Sequence, residues 1–148
     1  MSNKLPKKRN NNQLCISVDS GKIEVPIIDK HTHEKLGQLV FAPNDTNIVE
    51  RYEEVVSFWK NYKMPEEDSL EAVKKAEKEI SDQLSYLINA DAEKAFFSIL
   101  GPFSPMDDGK IFMEQVLDGV AQVIEKTLNT NVTKVQRRVN KYVAKYHN

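Results

Sequence analysis

Cysteine is nearly missing from this 148-residue chain: Cys15 is the only one, so no disulfide can form within it. A single cysteine fits a reducing compartment, and the expected location is the cytoplasm. Long apolar runs are missing too. The longest are a few residues, such as Leu39-Val40-Phe41-Ala42, far short of the roughly 20 needed to cross a bilayer. The opening residues, MSNKLPKKRNNNQ, are basic with no apolar stretch behind them, which is not the pattern of a secretory signal. Gly109-Lys110 ends no phosphate-binding loop. The upstream glycine is Gly101, at the wrong spacing, and Ile111 stands where Ser or Thr is needed.

What is present is an ordinary soluble composition, 40% hydrophobic, at a length that makes one domain with a real core. The net charge of −1 hides a polarity. Residues 1–9 hold Lys4, Lys7, Lys8 and Arg9 and no acid. Residues 130–148 hold Lys134, Arg137, Arg138, Lys141 and Lys145 and no acid. The stretch between carries 12 basic and all 22 acidic residues, a net of −10. Basic ends on an acidic body admit nucleic acid, an acidic partner, or contact between copies.

Taken in order, residues 1–13 read as a disordered basic tail and 14–148 as a single α+β domain, mainly α, with a β part over 14–42 and a helical part over 45–147. Leu14–Asp19 and Lys22–Ile28 alternate apolar and polar residues about Ser20-Gly21, the pattern of a hairpin. Pro26 marks the second run as an edge. Leu36–Phe41 returns as a third strand, so the spacing predicts an antiparallel hairpin or three-stranded sheet followed by four to five helices.

Pro43 ends the sheet. Asp45, or Asn47 with Glu50 in capping-box spacing, starts a helix. Its stripe is Ile48, Tyr52, Val55, Val56, Trp59 and Tyr62, expected to clamp the sheet with Trp59 in the seam. A second helix opens near Met64–Asp68 and runs to Ile88, with its continuation through Asp91 left open. Ala92–Leu100 is short and ends at Gly101-Pro102. Asp107 or Asp108 caps a helix over Lys110–Leu128, where Gly119 marks a close helix contact. A turn at Asn129-Thr130-Asn131 leads to a last, basic helix over Val132–Tyr146, paired antiparallel with the one before it.

No catalytic constellation emerges. His31 and His33 with Asp29 and Glu34 are ligand types, but no second cluster completes a metal site. Asp107-Asp108-Gly109 lacks the later ligands of a calcium loop. Cys15 has no neighbouring base, and no serine sits in a nucleophile turn. The expectation is a binding protein, not an enzyme, with no catalytic residue, metal or cofactor. Its partner-binding face is sought among apolar residues left over by the core, Met64, Phe103, Met106, Met113 and Leu117, and basic Arg137, Arg138 and Lys141.

The order of these features resembles a family. A small hairpin leads into Phe41-x-Pro43-x-Asp45 and the helix IVERYEEVV. FFSILGPFSPMDDGKIFMEQVLDGVAQVIEKT follows, then a terminal helix ending VNKYVAKY. Over roughly residues 15–148 this is similar to the tail assembly chaperones of long-tailed phages and prophages of Gram-positive bacteria. The resemblance implies a non-catalytic protein of the host cytoplasm, absent from the mature virion. It implies binding to the tape measure protein, recruitment of tail tube subunits, and self-association into a homo-oligomer, with no membrane role. The alternative is a small nucleic-acid-binding protein using its two basic ends.

Overall fold

The computed structural model describes the backbone of residues 13–146 and the side chains of residues 13–129. It is an α+β fold, mainly α. Strands β1 (Ile23–Ile28) and β2 (Lys35–Phe41) are followed by helices α1 (Asn47–Lys60) and α2 (Leu70–Ile88), a π-helical turn (Glu93–Phe97) and helix α3 (Phe112–Tyr146).

β1 and β2 pair antiparallel, with Ile23 opposite Phe41 and Val25 opposite Leu39, and make a two-stranded sheet. Asp29 shapes the connection: its carboxylate accepts from the His31 and Thr32 backbone N–H groups at 2.8 and 3.0 Å. Alternation puts Leu39 and Phe41 inward, with Val25 and Ile27 packed beside them. The π-helical turn covers this face, since a Cβ at Gly37 would stand 3.7 Å from the Ala95 carbonyl oxygen.

The third strand expected over Leu14–Asp19 does not form. Leu14, Ile16 and Val18 are 95%, 91% and 82% exposed. The reason lies in the linker. Of Ser20 and Gly21 only Gly21 has positive φ (77°), whereas the tight hairpin turns need it at the first position or at both. The Asp19 carboxylate accepts from the Gly21 N–H at 2.8 Å, and the missing Cβ of Gly21 is the space that Asn44 fills, 2.6 Å away.

Helix α2 is the middle of the core. Ala76, Ile80, Leu84, Leu87 and Ile88 are buried along one side. Ser69 caps it, accepting from the Ala72 N–H at 3.1 Å. The cap therefore lies at Ser69, just beyond the expected opening over Met64–Asp68. Asn89, left-handed at φ 52°, ends the helix, so it does not run on to Asp91.

α1 lies antiparallel on α2. Arg51 donates from Nε to the Leu87 carbonyl at 3.2 Å and pairs with Asp45. The Tyr86 hydroxyl donates to Glu54. Thr46, and neither Asp45 nor Asn47, holds the N-cap position of α1 and makes no side-chain cap bond, while Asp45 just before it accepts from the Asn47 N–H at 2.9 Å. Trp59 is not in a sheet seam. It lines the junction of three helices with Val55, Phe58, Ile80, Gln83, Leu84, Met113 and Leu117, around a gap of about 10 Å³. The sheet is held by the π-helical turn instead, so α1 is free to face α2.

The largest departure is α3. The turn expected at Asn129-Thr130-Asn131 is helical, and the two C-terminal helices are one of 35 residues. Three polar residues of low helix propensity cost under ~1 kcal/mol apiece, and without Gly or Pro nothing obliges a break. There is thus no antiparallel terminal pair, and the helical elements among the described residues are three α-helices and one π-helical turn. Gly119 makes no close contact either, since nothing lies within 4 Å of a Cβ placed there.

Two substitutions test this. Gly119→Ala removes backbone entropy at an open helical site, and the folded state should gain about 0.5–1 kcal/mol in denaturant unfolding. Thr130→Pro should lower the helical circular dichroism and cost about 3 kcal/mol or more of local helix stability if α3 is continuous. A turn at 129–131 would tolerate it.

Candidate interaction surface

Six residues of α1 and its C-terminal end make an apolar stripe, but only Ile48 and Val55 are buried. Tyr52, Val56, Trp59 and Tyr62 are half-buried. α2 and α3 meet the stripe around Val55 and Trp59, but they do not cover all of it, so part remains in water. Tyr52 and Val56, with Glu53, Ser57, Lys60 and Asn61 around them, line an open groove of about 320 Å³. Val49, 47% exposed, lies one turn before Tyr52 and Glu53.

The groove has an acidic side. Burial raises the Tyr52 phenol above its ordinary value, and the carboxylates of Asp118 and Glu125 on α3 push it the same way. Every residue lining the groove belongs to α1 or directly follows it, Lys60 included, so α3 adds negative charge toward Tyr52 and no wall. At the far end of α1, burial raises Tyr62 likewise, followed by the charge of Glu79 on α2 and a hydrogen bond to it. Tyr86 is raised first by its hydrogen bond to Glu54. A half-apolar floor with Glu53, Asp118 and Glu125 beside it suits an amphipathic helix with basic flanks.

A second polar cluster joins the β1–β2 connection to the loop before α3. His31 Nε2 lies 3.2 Å from an Asp107 oxygen, and Lys30 lies 3.9 Å from Asp108. Asp108 also accepts from the Lys110 N–H and from Gln115. Those bonds hold its carboxyl below the ordinary range, with the Lys110 N–H contributing most. The two aspartates thus brace a loop at the root of α3. Among the described residues, no three His, Cys, Asp or Glu side chains gather as a metal site would require.

The residues expected at a binding face are scattered. Met113 and Leu117 are 4% and 8% exposed and belong to the core. They sit at helical spacing on the inner face of α3, where the three helices meet. Phe103 packs against the core and Met106 is half-buried in the loop before α3. Met64 is open, at 54%, between α1 and α2. The side chains of Arg137, Arg138 and Lys141 lie outside the described residues. The structure does not bring the described positions together.

The groove residues Tyr52 and Val56 were readable only as core. One signal was present: a stripe of six apolar positions within about four turns is wider than a single neighbour covers. Among the described residues, no helix is long and apolar enough to cross a membrane. No protein-family model matches the chain, and no curated protein or solved structure does either.

The tyrosines give a pH signature. A raised folded-state value means the protonated phenol is favoured by folding. Its contribution is intact below the unfolded value near 10 and is lost as pH climbs through the higher folded value. Phenolate absorbance should show Tyr52 titrating late, with Asp118→Asn moving it back toward the ordinary value and Tyr52→Phe deleting that step. An ordinary titration in the folded protein would contradict the placement of Tyr52 beside α3.

Proposed function

We propose that this protein is a non-catalytic tail assembly chaperone of a long-tailed phage or prophage, acting in the bacterial cytoplasm. It holds helical segments of the tape measure protein and helps recruit tail tube subunits. The family reading rests on the ordered resemblance over residues 15–148, and one structural observation carries the binding mode. Helix α1 has a half-covered apolar stripe, with Tyr52 and Val56 forming the floor of an open groove flanked by acids. A tape measure protein is long, helical and apolar on one side. Its helices need cover in water before the tail exists, and the groove offers apolar area with a charged rim.

The mechanism is burial. Covering a Val or aromatic side chain contributes about 1.5–3 kcal/mol, so a few such contacts hold a helix at modest affinity. Modest affinity suits a helper that must later give way to tube subunits. The acids beside Tyr52 favour client segments with lysine or arginine next to the apolar stripe, which orients the bound helix.

Co-expression with a helical fragment of the tape measure protein encoded nearby tests the reading. The wild-type protein should keep the fragment soluble and co-purify with it. Val56→Asp should weaken binding at least tenfold by putting a charge on the floor, with little change in thermal unfolding because Val56 is only half-buried. A fragment that aggregates as fast with the wild-type protein as without it would refute the function. Binding unaffected by Val56→Asp would refute the site.

A further inference from the structure

Residues 13–19 hold no regular secondary structure and alternate Leu14, Ile16 and Val18 with Cys15, Ser17 and Asp19. That is the pattern of a strand with one apolar side, yet all three apolar side chains are more than four-fifths exposed. The segment cannot fold back on β1 as a tight hairpin, because the Ser20-Gly21 linker has the wrong φ signs and Gly21 is seated against Asn44. β1 is also a poor acceptor. Pro26 has no N–H, and prolines in strands turn that missing donor to the outer edge.

An acceptor exists on β2. The sheet has two strands, a size that is marginal alone. Among the described residues, no backbone hydrogen bond joins the outer edge of β2 to a segment other than β1. The strand has no proline, and Leu36 and Val40 are exposed along it at 39% and 46%. We propose that the arm 13–19 of one copy adds as a third strand to the outer edge of β2 in a second copy. Main-chain bonds along the edge supply the attachment, and the alternate side chains Leu14, Ile16 and Val18 supply the apolar contact.

Charge assists the encounter. The residues before the arm carry Lys4, Lys7, Lys8 and Arg9, and the body of the partner copy has a net charge of −10. Every copy has both arm and edge, so reciprocal exchange closes a symmetric pair. The inference does not rest on the chaperone reading. It concerns the sheet, while client binding concerns α1.

Light scattering on the intact protein over a dilution series tests it, beside the double variant Ile16→Asp/Val18→Asp. Both positions are exposed, so the variant should unfold at the same temperature as the wild type. The expected masses are at least twice the 17.0 kDa chain for the wild type and one chain for the variant. In a second experiment, Ile16→Cys on the arm and Gln38→Cys on β2, which fall on the same face, are combined in a Cys15→Ser background and oxidised. A disulfide between chains should appear and should be lost in Cys15→Ser/Gln38→Cys. A wild-type mass of one chain at every dilution overturns the proposal. So does an assembled mass that the arm variant leaves unchanged, which would move self-association to another surface. A disulfide that joins the two introduced thiols within one chain also overturns it.

Discussion

The buried side of α2 is the constraint on which the rest depends. Ile80, Leu84, Leu87 and Ile88 are at most 2% exposed. α1 covers them from one direction, while Ala92 and Phe96 of the segment that follows belong to the same cluster as Met113, Val116 and Leu117 of α3. Removing a buried leucine from such a place costs about 2–5 kcal/mol, a large share of the roughly 5–15 kcal/mol that separates folded from unfolded states in proteins generally. The polar bonds around it fix orientation more than they add energy. Arg51 is an example: its guanidinium meets a carbonyl at the C-terminal end of α2, where helix carbonyls lack partners, and Asp45 holds it there.

A core centred on α2 leaves the outer flank of α1 short of cover. Val55 and Trp59 pack where α2 and α3 meet α1, while Tyr52 and Val56 stay half-buried. Acids on α1 and α3 keep that flank hydrated at neutral pH and repel a second surface of the same sign. The charge distribution and the incomplete packing therefore act together, and each restricts what kind of molecule can settle there.

Much of the fold was legible from residue pattern. Pro43 ends the sheet, and the stripes of α1 and α2 fall at helical spacing; the short helical segment was legible too, but it ends at Phe97 with Ser98 as its cap, ahead of the expected Gly101-Pro102. These signals are local, so neighbouring residues suffice to read them. The failures come from signals that local pattern does not carry. Leu14–Asp19 has strand alternation, but whether it pairs depends on the φ signs at Ser20-Gly21 and on Asn44, more than twenty residues away. Asn129-Thr130-Asn131 has loop composition, but no residue there forbids a helix and the flanking turns impose one. Trp59 was placed by its nearest neighbours in sequence, the sheet, whereas its partners Ile80 and Met113 come from elements not yet made at that point in the chain. The groove was illegible for a related reason: whether an apolar stripe is core or surface depends on how many neighbours arrive to cover it.

The succession of contacts in the fold bears on how quickly it forms. β1 meets β2, the next element, and α1 meets α2, the next element. The long-distance closure between the sheet and the π-helical turn, near Gly37 and Ala95, brings together parts of the chain almost sixty residues apart. Folding rates fall as the average separation of touching residues grows, and this chain keeps most of its pairings short. The hairpin and the α1–α2 pair can each assemble within microseconds of the other. Two closures span comparable separations, the hairpin against the π-helical turn and Val55 with Trp59 against Met113 and Leu117, and both carry a larger loop entropy than the local pairings. Leu39 and Phe41 reach their full burial only when the hairpin joins the common core.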